Sequence, residues 1–140
     1  MLFRSLDQLF DHYHIAVLGF DVVFAELDRS SGLDVLRALG ENELKQIPQY
    51  NAALSDLAPG LDYNALFAEK LKSRAVVLGY TFMDGEDPSQ HSKSWLLPFP
   101  AFSVSELAGN TVPYTYKGFV GNLAALQTNA ASGGKIGSVV

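Results

Sequence analysis

Three carboxylates and one guanidinium lie close together in the sequence, within and directly after an apolar run: Asp21, Glu26, Asp28 and Arg29. Ligands of open α/β sheets bind beyond the carboxyl ends of the strands, where Glu26, Asp28 and Arg29 are expected. Carboxylates at this place can coordinate a cation, transfer a proton or accept hydrogen bonds from a ligand. The alternative is a capped, solvated loop in which Arg29 pairs with an acid. We take the four residues as the candidate ligand-binding residues.

Asp21 differs from the other three because it interrupts the apolar run itself. A carboxylate inside a buried strand needs hydrogen-bonding or charged partners, since burial without them is costly. We therefore expect Asp21 either to bond backbone groups in a structural role or to lie at a cavity.

The other residue types that could carry chemistry form no constellation typical of catalysis. His12 and His14 are expected at the solvated end of a helix, and His91 is expected in a surface loop. The glycine-rich pieces at 118–121 and 133–137 lack the strand–glycine–helix order that cradles a phosphate. The sequence therefore predicts no catalytic residue, no metal site and no cofactor, and we expect the chain itself not to be an enzyme.

Apolar runs predict the strands that must position these residues. Residues at about 15–25 and 75–82 are apolar at successive positions and rich in β-branched and aromatic side chains. Such runs are typical of parallel strands that helices cover on both faces. A further strand is predicted to begin at about 136–140.

Helical spacing and capping residues predict the elements between the strands. Asp62 is a predicted N-cap, and Pro48 is placed to open a helix. Alternation of strands and helices is typical of an α/β fold with a parallel sheet. The predicted helices are Leu2–Tyr13, Leu33–Leu39, Gln49–Leu57, Tyr63–Lys72 and Leu123–Ala130.

Length and charge exclude several classes of protein. The 140 residues, 48% of them hydrophobic, suit one domain with a sizeable core. A net charge of −5 without a basic cluster argues against nucleic acid as a partner and against a bound anionic membrane surface. The absence of cysteine excludes disulfide scaffolds and cysteine nucleophiles. No apolar run reaches the roughly 18 residues that a membrane-spanning helix needs.

The stretch 18–31 resembles the CHASE2 family of bacterial extracytoplasmic sensor domains, whose central strand commonly reads G-h-D-h-h-F-x-E-P-D, where h is apolar. Here the stretch reads LGFDVVFAELDRSS, with Leu27 in place of the usual proline. The order of the surrounding segments agrees with the family: a preceding amphipathic helix, a V-V-L-G-Y strand at 76–80, Leu96-Leu97-Pro98, and a glycine-containing strand at 135–140. The family usually has a further strand at each end, so we expect one domain over 1–140 that is truncated at both ends.

The resemblance implies the biological setting. Domains of this family sense stimuli outside the cytoplasmic membrane of bacteria, within membrane-anchored proteins that work as homodimers. Their outputs are cytoplasmic adenylate or guanylate cyclases and sensor kinases. The resemblance therefore implies an extracytoplasmic, periplasmic sensor that binds a small molecule or an ion. The alternatives are a dimerisation or scaffold domain without a ligand, and a small carboxylate-dependent enzyme of the hydrolase type that uses Asp21, Glu26 and Asp28.

Overall fold

The computed structural model describes residues 2–84, 96–98 and 114–135 of the chain. A π-helical turn at Gln8–His12 extends the first helix. In chain order the described elements are α1 (Leu2–Asp7), β1 (Leu18–Gly19), α2 (Leu33–Glu41), α3 (Pro48–Leu61), α4 (Tyr63–Leu71), β2 (Val76–Met83), β3 (Gly118–Val120), α5 (Ala124–Gln127) and β4 (Ser132–Lys135).

Strand β2 is the centre of the described sheet. It pairs in parallel with β1 on one edge and in parallel with β4 on the other. The last three residues of β2 pair antiparallel with β3. The core joins side chains of α1, α4 and α5 to side chains of β2. The predicted α/β fold with parallel central strands is therefore confirmed.

One edge of β2 is shared by several partners, and this sharing explains why the first strand is short. The Val77 carbonyl accepts a 2.9 Å hydrogen bond from Phe20 N, which is the last ladder bond to the first strand. The Gly79 carbonyl lies two residues on, and therefore on the same edge, but it accepts from the Asn122 side-chain amide at 2.9 Å. The strand predicted at 15–25 is thus wrong in extent, because a side chain takes the position its continuation would need.

The apolar run after β1 stays attached to the core without being a strand. Phe24 N donates to Asn122 Oδ1 at 2.8 Å, and the Phe24 carbonyl accepts from Leu123 N at 2.8 Å. The Phe20, Phe24 and Phe67 rings meet edge to face, with centroids 5.1–6.1 Å apart. The apolar residues of this segment serve to pack aromatic rings on the core, and some of them are exposed. In sequence, such an irregular segment has the same pattern as a buried strand.

The other predicted elements differ mainly at their ends. The predicted strand 75–82 is confirmed to within one residue as β2. The strand predicted at 136–140 lies outside the described residues, and the structure places β4 at Ser132–Lys135, directly before them. Helix α3 ends at Leu61 instead of the predicted Leu57, and it runs through Pro59. Helix α5 is shorter than the predicted Leu123–Ala130, and the preceding Asn122 does not cap it, because the Asn122 side chain is buried and bonds other groups.

The hydrophobic core lies between α4 and β2. Leu71, Val76 and Leu78 have no solvent exposure, and Phe67 packs with them. Leu6 of α1 is also buried in this cluster. Burial of each such side chain contributes about 1.5–3 kcal/mol, so this layer fixes the position of α4 relative to the sheet.

Ion pairs join the N-terminal helical segment to α4 and to the turn before β2. The Asp7 carboxylate accepts from Lys70 Nζ at 2.8 Å and from Arg74 Nη2 at 2.9 Å, and the same Arg74 nitrogen reaches Asp11 at 2.9 Å. The Arg74 guanidinium also lies 5.5 Å from the centre of the Phe10 ring. The bonds from Lys70 and then from Arg74 hold the pKa of the Asp7 carboxyl below its ordinary value of 3.8.

We expect Asp7→Asn to lower the free energy of unfolding at pH 7 by about 1 kcal/mol, because the ion pairs are partly exposed. A carboxyl whose pKa is lowered by folding stabilises the protein above its unfolded pKa, and that stability is lost as the pH falls through the folded pKa. The difference in the free energy of unfolding between the unmodified protein and Asp7→Asn should therefore become smaller below about pH 3.8. Urea unfolding at pH 7 and pH 3 measures it, with exposed Asp56→Asn as the control. An unchanged difference at pH 3 would contradict the assignment.

Candidate functional site

A cleft of about 280 Å³ lies beside the loop that follows the first strand and its attached segment. It opens between the N-terminal ends of α2 and α4. Its charged and polar lining comes from the loop and from both helices: Asp28, Arg29, Ser31, Asp34, Arg37, Asp62, Tyr63 and Asn64. Two of the predicted site residues, Asp28 and Arg29, therefore lie in one cleft.

Asn64 fixes the loop against α4. Its side-chain oxygen accepts from Asp28 N at 2.9 Å, and its side-chain nitrogen donates to the Asp28 carbonyl at 3.1 Å. One amide thus satisfies both backbone groups of a residue that is 36 positions away in the sequence. The loop wall of the cleft is held in place by this pair of bonds.

Backbone amides orient two of the carboxylates that line the cleft. Asp62 is the N-cap of α4, as predicted, and its Oδ1 accepts from Ala65 N at 3.0 Å. Asp28 Oδ1 accepts from Ser30 N at 2.9 Å. Hydrogen bonds from the Ser30 side chain and then from the Ser30 backbone hold the pKa of the Asp28 carboxyl below its ordinary value, so this group is ionised at neutral pH.

The two arginines of the cleft differ in their partners. Arg29 Nε lies 3.5 Å from Asp34 Oδ2, and both side chains are more than half exposed. Such a contact is weak and easily exchanged. The Arg37 guanidinium makes no ion pair or hydrogen bond within the part of the chain that the structure describes. Arg29 thus pairs with an acid, as the alternative of a capped, solvated loop predicted, while Arg37 remains available.

Asp21 and Glu26 lie elsewhere. Both side chains are exposed, and neither lines the cleft. The expectation that Asp21 sits inside a buried strand is wrong, because the strand ends at Gly19 and the chain beyond Phe20 leaves the sheet. Asp21 therefore needs neither of the two roles that burial would have required.

Sequence reasoning missed three polar residues of the cleft: Asp34, Arg37 and Asn64. The predicted cap at Asp62 indicated where α4 begins, and it therefore indicated that Asn64 lies in the first turn of this helix. No sequence signal pointed to Asp34 and Arg37 of α2, because their spacing on a predicted helix also fits a solvated face. Over the described ranges, no group of three histidine, aspartate or glutamate side chains is placed to hold a metal ion.

We expect Asn64→Ala to lower the free energy of unfolding by about 1 kcal/mol, because two exposed side-chain hydrogen bonds are lost. The same change should increase amide hydrogen exchange at Asp28, whose N–H the Asn64 oxygen binds. Urea unfolding and exchange mass spectrometry measure the two effects. Asn51→Ala, which removes an exposed bond to the Lys45 carbonyl in the turn before α3, is the control. Unchanged exchange at Asp28 would contradict the role assigned to Asn64.

No family model, curated protein or solved structure matches this chain. None of the helices in the described ranges combines the length and apolarity that a bilayer crossing needs.

Proposed function

We propose that this chain is a stimulus-sensing domain that binds a small ligand and has no catalytic role of its own. The observation that carries the proposal is the cleft beside the loop 27–31, where charged groups of both signs meet an apolar wall. Ligand sites in α/β folds are commonly formed by loops and helix ends, and this cleft lies between the loop 27–31 and the N-terminal ends of α2 and α4.

The placement of the carboxylates favours binding over catalysis. An acid–base or hydrolytic site needs carboxylates that converge on one reacting atom. Of the three residues considered for such a site, only Asp28 lines the cleft. Its carboxylate accepts a bond from the backbone of its own turn, so it is placed to orient a ligand.

The wider setting is proposed from the resemblance to CHASE2 domains. The chain would be the extracytoplasmic part of a membrane-anchored, homodimeric bacterial signalling protein with a cyclase or kinase output. Ligand binding would then shift the balance between two arrangements of the parent protein, because a ligand stabilises the arrangement that it binds better. The parent coding sequence tests this setting. Membrane segments and an output domain beside this chain are expected, and their absence would contradict it.

A dimerisation or scaffold domain is the second candidate. Several large apolar side chains are exposed, among them Val22, Leu27, Val35 and Leu57. Exposed apolar surface favours association with another chain. This candidate predicts a dimer at micromolar concentration that no small ligand stabilises.

A thermal-shift screen against metabolites and inorganic ions tests ligand binding directly. A ligand that binds only the native state must raise the apparent stability. We expect Ala65→Trp, which fills the cleft from α4, to abolish that rise, while Ala52→Trp on exposed α3 leaves it unchanged. Both variants must first be shown to fold by circular dichroism. A dimer by light scattering, together with no stabilising compound, would favour the scaffold candidate instead.

A further inference from the structure

We propose that the ligand of the cleft is a small aliphatic zwitterion, with adjacent ammonium and carboxylate groups as in a free aliphatic amino acid. This inference rests on the proposed ligand-binding function and specifies its ligand class. It follows from the arrangement of charge on α2, from the mixed charge of the cleft as a whole, and from its apolar wall.

Asp34 and Arg37 place opposite charges side by side in the cleft. They are three positions apart on α2, and residues at this spacing are neighbours on a helix surface, with Cβ atoms roughly 5–6 Å apart. They form no ion pair with each other within the described residues. Instead, Asp34 makes its long contact with Arg29, and Arg37 has no partner there. A ligand with adjacent opposite charges could pair with both at once.

Ligands with only one sign of charge fit this lining less well. Three aspartates and two arginines line the cleft, and their formal charges sum to −1. A simple anion drawn to Arg37 would lie close to the ionised Asp28 and to Asp34. A simple cation drawn to Asp34 would lie close to both arginines. Unlike charges attract and like charges repel over a few ångströms, so a ligand bearing both signs avoids either conflict.

Apolar side chains of the cleft determine the size and the aliphatic character of the uncharged part of the ligand. Leu27, Leu33 and Leu61 line the same cleft, and Leu33 is buried beneath it. A volume of about 280 Å³ is at the lower end of small-molecule sites, which run from roughly 300 Å³ upward. The cleft therefore suits a molecule the size of leucine, with its charged end toward α2 and its aliphatic end on the leucine wall.

Three probes that share a 3-methylbutyl unit separate the ligand classes: L-leucine, 3-methylbutylamine and 4-methylpentanoate. The second lacks the carboxylate of leucine, and the third lacks its ammonium group. We expect L-leucine at a hundredfold excess over its Kd to raise Tm by about 9 °C. The amine and the acid at the same concentration should bind at least tenfold more weakly, because each leaves one charge of the cleft unpaired.

Variants test whether the ligand binds in the cleft and which charged side chain pairs with which group of the ligand. Arg37→Gln and Asp34→Asn should each weaken L-leucine binding at least tenfold by isothermal titration, whereas exposed Arg4→Gln on α1 should not. Asp34→Asn should also narrow the advantage of leucine over 4-methylpentanoate, since the partner of the ammonium group is gone. Circular dichroism shows whether each variant is folded before it is titrated.

The outcomes separate this inference from the proposed function. If the amine or the acid binds as tightly as L-leucine and Ala65→Trp abolishes that binding, the ligand class is wrong, while the ligand-binding function stands. If none of the three probes binds, the inference is overturned, and the wider screen still decides the function. Binding of L-leucine that Arg37→Gln and Asp34→Asn leave unchanged would also overturn it.

Discussion

Replacing Asn122 with alanine is expected to lower the free energy of unfolding by about 4 kcal/mol. The side chain is 0% exposed and bonds three separate parts of the chain. It accepts from Phe24 N at 2.8 Å, and its Nδ2 donates to the Gly79 carbonyl at 2.9 Å and to Gln127 Oε1 at 3.0 Å. Each buried partner left without a bond costs about 1–3 kcal/mol, so their loss removes a large part of a small domain's stability.

Two further variants test the cause of this loss. Asn122→Asp keeps the acceptor for Phe24 N but sets a carboxylate oxygen against the Gly79 and Gln127 oxygens. It should be destabilising at pH 7 and partly recover as the pH is lowered to 5, because the protonated acid is favoured at a buried site. Urea unfolding gives the free energies, and exposed Asn51→Ala, expected to cost less than about 1 kcal/mol, is the control. A loss for Asn122→Ala as small as that of the control would show that the side chain does not hold the edge of β2.

Replacing Gly121 with alanine is expected to cost about 3 kcal/mol. An added Cβ would stand 2.5 Å from the Leu96 carbonyl oxygen and 3.0 Å from its carbonyl carbon. The obstacle is backbone, so the chain at 96–98 or the end of β3 must move. That movement strains the bond from Leu96 N to the Asn122 carbonyl, which joins these segments. Overpacking of this kind costs about 1–3 kcal/mol, and this contact is at the severe end.

Gly60 supplies a control of opposite sign. It lies in α3, and an added Cβ there meets nothing within 4 Å. Gly60→Ala should therefore raise the free energy of unfolding by about 0.5–1 kcal/mol, because alanine favours the helix. Thermal and urea unfolding of both variants measure the contrast. If the two substitutions change stability equally, the close approach of Leu96 to Gly121 is not a constraint on the fold.

The dependence of the fold on Asn122 has a consequence for the cleft. Phe24 is tied to Asn122 and Leu123, and the loop that carries Asp28 begins three residues later. One end of the loop is thus set by the edge of β2, and Asn64 holds it further along. Loss of the Asn122 bond to Phe24 or of the Asn64 bonds to Asp28 should change the shape of the cleft as well as the stability. Ligand titrations on Asn64→Ala therefore test whether a change in stability is accompanied by a change in ligand affinity.

The helices and the central strand were predictable because their signals are local. The cap at Asp62, the proline at Pro48 and the apolar run of β2 each act through neighbouring residues, and the structure has those features where they were predicted. The fold class followed from the alternation of these elements. The continuation of α3 through Pro59 was not predictable in this way, because local preference favours a helix end at the residue before a proline.

Local sequence patterns were enough to predict the α/β class and the polar loop with Asp28 and Arg29, because strand ends and polar loops depend on adjacent residues. Contacts between distant segments account for the other features of the site. The tertiary structure ends the first strand at Gly19, because the side chain of Asn122, far away in the sequence, takes the next position on the edge of β2, and Asp21 is therefore exposed. It also brought Asp34, Arg37 and Asn64 to the same cleft as Asp28. Hydrogen bonds and charges act over a few ångströms in space, so residues far apart in the sequence can complete a site that no local pattern reveals.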